Sequence, residues 1–191
     1  MIQSTKQLTA TEKETLYSLW QRNVVDKYKP LSTEDIKKDL RKNAIPAAVL
    51  MAQVEGDFNF SNVVRTANFF NLQCVYYYGR KHYDRRGTCG SYIYSDVRYL
   101  RSIDDVKKLK EHYTFVGLEN NINKPTYNIN SYKFKPNSVL ILGEEGFGIA
   151  SEIIDLCDDL VEIVNFGSVR SLNAATAAAI AINTLSDQFR K

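Results

Sequence analysis

The sequence predicts an α/β domain built on a mainly parallel sheet with helices on both faces. Two observations carry that prediction. Short apolar runs of strand length alternate with segments of helical periodicity from residue 46 onward. The strand-like runs are nearly continuous in apolar residues, as strands buried on both faces must be. A chain of 191 residues is long enough to bury a core of its own and suggests one domain with a small extension.

Residues 11–28 read as an amphipathic helix, with Leu16, Leu19 and Trp20 at helical spacing and Lys29-Pro30 as its stop. Ser32 starts a second short helix, with Asp35 three residues on, that ends before Pro46. Residues 1–45 are therefore expected to form a helical extension and 46–191 the main domain. The run 47–54 is a buried strand, 59–71 a helix and 73–78 a strand. A long irregular segment, 79–94, comes next. Ser102 and Asp105 open a basic helix that reaches about His112. The run 114–118 is a strand, followed by an Asn-rich connection. Ser138–Leu142 is the clearest strand, Gly143–Gly148 a glycine-rich turn and 150–157 a helix. The run 160–164 is the last strand, and Ser171 starts an alanine-rich helix that continues to Phe189.

Composition excludes several classes. No apolar run is long enough to span a bilayer. The start, Met1 to Lys6, has no apolar core behind a basic end, which argues against a secretory signal. The three cysteines, Cys74, Cys89 and Cys157, are scattered and form no C-x-x-C. A disulfide framework and a cysteine zinc site are not expected, and a reduced, cytoplasmic compartment fits. Two histidines, His82 and His112, argue against a histidine metal site.

The formal net charge is only +3, but it is unevenly spread. Residues 65–110 carry ten basic and four acidic side chains, whereas 137–169 carry seven acidic and no basic ones. Such asymmetry can mark a face that meets phosphate, or only surface helices that differ in charge.

Three polar or glycine-containing stretches lie at the ends of expected elements, where open α/β sheets bind ligands. The first contains Asn59, Ser61, Arg65, Thr66 and Ala67; the second runs Leu142 to Ile149; the third contains Gly167, Ser171, Leu172 and Asn173. Taken singly, each has a plain structural reading: a solvated arginine, a turn that needs glycine, and Ser171 as a helix N-cap. The second stretch lacks both the dinucleotide fingerprint and the Lys-Ser/Thr of a phosphate loop. A Rossmann-type dehydrogenase would carry its glycines after an early strand, and here they come late.

In this order and spacing the three stretches resemble the SpoU (TrmH) family of the SPOUT superfamily of RNA methyltransferases. The family patterns are Asn-x-[Gly/Ser]-x-x-x-Arg-Thr-Ala, apolar-Gly-x-Glu-x-x-Gly and Gly-x-x-x-Ser-Leu-Asn, and the likeness spans about residues 47–189. Departures are Glu144 where Asn is frequent, Val164 where Pro is usual and Ala175 where Ser is frequent.

The resemblance implies a C-terminal deep trefoil knot and a homodimer with its site completed across the interface; from the cysteine and histidine content, no metal is expected. It implies an enzyme that methylates a ribose 2′-hydroxyl in tRNA or rRNA with S-adenosyl-L-methionine. Catalytic roles fall on Arg65, Asn59, Glu145, Ser171 and Asn173. Cofactor contacts fall on Leu142, Gly143, Glu144, Gly146, Gly148, Ile163, Gly167, Ser171 and Leu172. Because guanidinium does not give up its proton near neutrality, Arg65 suits phosphate binding and alkoxide stabilisation better than literal base catalysis.

For the RNA, Arg80, Lys81, Arg85 and Arg86 interleave with tyrosines between Tyr76 and Tyr99, a mixture that holds backbone and stacks on bases. By alternation Tyr76 and Tyr78 are expected in the core. The rival expectation is a SPOUT-like RNA-binding module without catalysis.

Overall fold

The computed structural model describes Thr9, Thr11, Ser18 and residues 21–54, 58–120, 122–146 and 148–190. Seven strands form one sheet: β1 (Ile45–Val54), β2 (Leu72–Gly79), β3 (Val97–Leu100), β4 (Thr114–Leu118), β5 (Tyr127–Asn128), β6 (Ser138–Leu142) and β7 (Asp159–Glu162). Their order is β3-β2-β1-β6-β4-β7-β5, and every named pairing is parallel. The helices are α1 (Thr33–Lys42), α2 (Phe58–Phe69), α3 (Ile103–Lys110), α4 (Ser151–Ile154) and α5 (Ala174–Asp187).

The core divides by strand alternation into two layers, one on each face of the sheet. On one face Val49, Met51, Val75, Tyr77, Val116 and Leu140 pack against Phe60, Val63 and Val64 of α2 and Ala178, Ile182 and Leu185 of α5. On the other, Leu50, Tyr76, Phe115, Val139 and Ile141 meet Val106 of α3 and Ile153 of α4. Adjacent strand residues are thus both buried, which is why the strands read as continuous apolar runs.

Strand register fixes where the connecting loops emerge. β6 is buried at all five residues and lies between β1 and β4. Met51 and Leu118 both pair with Leu142. β4 and β6 end in step, so the segments leaving them emerge side by side.

Several expectations change. The first helix does not run to residue 28: residues 21–24 are turns and bends, Val25 is extended, and Asp26–Tyr28 is a single 3-10 turn. Arg22 causes this, because its Nη2 donates to the carbonyls of Tyr28, Lys29 and Leu31 at 3.1, 2.7 and 2.7 Å and folds the chain back. Leu16, Leu19 and Trp20 lie outside the described residues. The second helix stands as expected, with Ser32 Oγ accepting from the Asp35 N–H.

The helix after the glycine turn stops at Ile154, because Asp158 turns back to accept from Phe115 N–H and Lys110. The last helix starts at Ala174 and not at Ser171. Asn173 is its N-cap, accepting from the N–H groups of Ala175 and Thr176. Tyr77, not Tyr78, joins Tyr76 in the core, since β2 is covered on both faces. The sequence pattern does not announce β3 or β5: one carries an arginine and the other has two exposed residues.

All three cysteines are free. Burial pushes the Cys74 and Cys157 thiols up to about 12, whereas Cys89 is exposed. Thiolate is the reactive form. One maleimide adduct, at Cys89, is therefore expected by mass spectrometry at neutral pH, with the other two appearing only on unfolding.

Candidate active site

The site lies at the carboxyl ends of β4, β6 and β7. β6 runs straight into Gly143. A Cβ there would overlap the backbone of Gly148 and Ile149, so only glycine fits. The turn closes on itself through Glu144 N–H to Gly148 O (3.1 Å) and Gly148 N–H to Glu144 O (2.9 Å). From the neighbouring strand end, Glu119 clamps it. One carboxylate oxygen accepts from Ile149 N–H at 3.0 Å and the other from Asn120 N–H at 2.9 Å. A lone glutamate before an Asn-rich connection gives no sign of this in the sequence. Its position at the end of a strand beside β6 is the only signal.

Around this turn is a cavity of about 520 Å³, within the size range of small-molecule sites. Of the expected cofactor contacts, Leu142, Gly143, Glu144, Gly146, Gly148, Ile163, Ser171 and Leu172 line it, with the catalytic candidate Glu145. Leu118, Glu119, Asn120 and Ile122 also line it, and no motif marks them. Gly167 is not among the lining residues. It is exposed, and its N–H is taken by Asn165 Oδ1 at 2.8 Å, while Asn165 Nδ2 donates to Val169 O at 2.6 Å. That clip closes the 165–169 loop on itself. Beside it Asn120 Nδ2 donates to Arg170 O at 3.3 Å and ties the segment to the end of β4.

Three of the expected catalytic residues meet directly. Glu145 Oε2 accepts from Asn59 Nδ2 at 2.7 Å and from Asn173 Nδ2 at 3.0 Å, and Asn173 Nδ2 also reaches Asn59 Oδ1 at 3.0 Å. Asn59 comes from the first turn of α2, Glu145 from the glycine turn and Asn173 from the cap of α5. Asn173 does two jobs, since its oxygen caps the helix while its nitrogen faces the other two. Asn173→Ala is expected to cost about 1 kcal/mol in urea unfolding, the usual worth of an N-cap. Asn173→Asp keeps the capping oxygen but sets a second carboxylate oxygen against Glu145 and Asn59 Oδ1, so it is expected to recover only part of that stability and neither donor contact.

Arg65, two turns along α2 from Asn59, is exposed, and its Nη1 donates to Cys89 Sγ at 3.3 Å. The structure thus assembles Asn59, Glu145 and Asn173, sets Ser171 in the cavity wall, and places Arg65 through a different part of the chain.

The proposed RNA side chains Arg80, Lys81, Arg85 and Arg86 are all exposed. Arg86 is held by Asp84, whose carboxyl it lowers below the usual range. Arg85 lies over the rings of Tyr92 and Tyr83, at 5.0 and 5.9 Å. Tyr77, Tyr83 and Tyr99 pack together, and burial raises Tyr77 and Tyr83. Of the arginines, Arg85 rests on Tyr83 of this group, while Arg86 lies over Phe58 at 5.3 Å. Among the described residues no cluster of His, Cys, Asp and Glu could hold a metal ion, and no helix is long and apolar enough to cross a membrane.

A family model described as the SpoU rRNA Methylase family matches residues 46–183. The chain belongs to this family. Among relatives, the tRNA (guanosine(18)-2'-O)-methyltransferase of Saccharomyces cerevisiae is 37% identical over 82 residues, covering 43% of this chain and 6% of the yeast protein. The enzyme of the same name from Aquifex aeolicus is 28% identical over 152 residues, covering 76% and 71%. Among solved structures, the SpoU methyltransferase AviRb from Streptomyces viridochromogenes, in complex with the cofactor AdoMet, has a TM-score of 0.66. It is 23% identical and covers 74% of this chain and 59% of that one. The chain thus spans only a small part of the yeast relative and most of the Aquifex one. In this SpoU domain, the Leu142–Gly148 turn, Ser171, Leu172 and the Asn59–Glu145–Asn173 cluster fall on the three stretches read from the sequence, whereas the cavity wall from Leu118 to Ile122 falls outside them.

Proposed function

We propose that this chain methylates a ribose 2′-hydroxyl in tRNA or rRNA, using S-adenosyl-L-methionine. The observation that carries the proposal is the Asn59–Glu145–Asn173 cluster, drawn from three separate segments and set beside a cavity that Glu145 also lines. The names of the yeast and Aquifex relatives support the reaction and an RNA substrate. The AdoMet-bound structure supports the cofactor.

The residues present fit that cofactor. The glycine turn is a cradle that a Cβ at Gly143 would fill. The lining combines Leu142, Ile149, Ile163 and Leu172 with backbone groups and the carboxylates of Glu119 and Glu144, suited to an apolar face with hydroxyl and amine donors. When bound, the cofactor supplies an activated methyl group. The chain's own residues then orient and stabilise. Glu145, fixed by two amide donors, orients the ribose, and Arg65 binds an adjacent phosphate and stabilises the alkoxide as it develops.

The same reading includes a knotted C-terminal region, a main domain from residue 46 with residues 1–45 as its extension, a homodimer and a cytoplasmic setting. The family match beginning at residue 46 supports the domain division. The exposed apolar side chains Phe166, Val169 and Leu172 support a covered surface near the cavity. The non-catalytic alternative gains nothing from the site, since Asn59, Glu145 and Asn173 are joined.

Incubation with labelled S-adenosylmethionine and unfractionated RNA tests the function. Label in alkali-stable dinucleotides, the mark of a 2′-O-methyl group, is expected. Label in bases, or none, overturns it.

A further inference from the structure

Arg65 is held by a turn, and that turn is held from both sides. Residues 84–89 pack on α2, the helix that carries Arg65: Ser61 Oγ donates to Asp84 O, and Gly87 lies so close to Ser61 that a Cβ would crowd its side chain at 2.8 Å. Thr88 is fully buried and donates to Arg85 O at 2.7 Å. The next residue, Cys89, adopts a left-handed backbone with φ of 47°. A non-glycine residue keeps that conformation only where its surroundings impose it. Its Sγ then accepts from Arg65 Nη1 at 3.3 Å.

The second hold comes from the far end of the chain. Asn23, 66 residues away, donates from Nδ2 to Cys89 O at 3.1 Å. Asn23 is itself fixed beside Arg22, whose guanidinium gathers the carbonyls of Tyr28, Lys29 and Leu31. One side chain of the N-terminal segment therefore grips the residue whose thiol meets the arginine.

We infer that Cys89 and Asn23 are positioning residues for Arg65, so that residues 21–31 set the aim of the arginine at the RNA. The inference rests on the proposed 2′-O-methyltransferase reading for its kinetic consequence, but not for its structural one. An arginine with free rotation about its side chain samples many directions, and a transition-state contact gains only from the one that is aimed.

Two measurements on the full chain test this. In the first, Cys89→Ala lowers kcat about tenfold, the worth of one hydrogen bond to a charged group, and Asn23→Ala, which frees the Cys89 carbonyl and acts on Arg65 only through that residue, lowers it by about threefold. KM for S-adenosylmethionine stays unchanged, and Cys89→Ser restores most of the rate. In an Arg65→Ala background neither substitution lowers the rate further, because the group they aim is gone. In the second, side-chain NMR of the Arg65 guanidinium reports its rotation without any substrate. Rotation is expected to be slow in the parent protein and faster in both alanine variants. Unchanged rotation, or a rate loss that persists in full in the Arg65→Ala background, overturns the inference. If the parent protein methylates no RNA, the proposed function fails, and the rotation measurement still decides whether these residues hold Arg65.

Discussion

Arg65→Ala is expected to reduce methyl transfer to RNA on the order of 10³-fold while leaving the dissociation constant of S-adenosylmethionine within about twofold. Both halves of that result stem from where the side chain sits. Arg65 is exposed on α2 and is not among the residues that line the cavity. Cofactor binding is therefore expected not to depend on it. Its proposed contacts, a phosphate and a developing alkoxide, exist only with RNA present and strengthen as charge builds, so their loss falls on kcat. Arg65→Lys keeps the charge but not the planar fork, and only partial recovery is expected. Isothermal titration with the cofactor alone, beside single-turnover rates, separates the terms. Equal loss in both measurements would show that Arg65 belongs to the cofactor site.

Gly143→Ala is expected to remove measurable cofactor binding and to lower the melting temperature, whereas Gly146→Ala is tolerated. At Gly143 the clash is with backbone atoms of Gly148 and Ile149, which cannot rotate away. Nor can the turn retreat. Behind it β6 is fully buried and paired on both sides. Ahead of it the Glu144–Gly148 bridge and the Glu119–Ile149 hydrogen bond close the loop. At Gly146 the nearest atoms are the flexible carboxylate oxygens of Glu144, at 3.5 and 3.9 Å. Titration calorimetry and thermal unfolding of the two variants check this pair. Similar behaviour of both would mean that the turn is not the rigid cradle described.

How legible each element is in the sequence depends on how local its signal is. Strands β4 and β6 are legible to the residue, because a strand buried on both faces shows as an unbroken apolar run. β3 is not, since an edge strand of four residues containing Arg98 has no such run. The start of α5 lies three residues beyond the expected one, because Ser171 and Asn173 both suit an N-cap and only the fold chooses between them. Asn59, Glu145 and Asn173 are nominated by motif likeness alone. No periodicity links side chains separated by 86 and 114 positions. Glu119 and Cys89 escape for the same reason, and no motif marks them. Each acts through a neighbour that the sequence places far away, Ile149 in one case and Arg65 in the other.

The place of β6 between β1 and β4 also constrains how the chain is born. During synthesis the first five strands emerge before residues 138–142 exist, yet the strand that joins β1 to β4 is made of those residues. Until then β1 has one bare edge, and β4, whose neighbours β6 and β7 both come later, has two, the features that invite pairing with the wrong neighbour. Sheet closure waits on a late segment reaching back over some ninety residues, the kind of long-range step that makes folding slow.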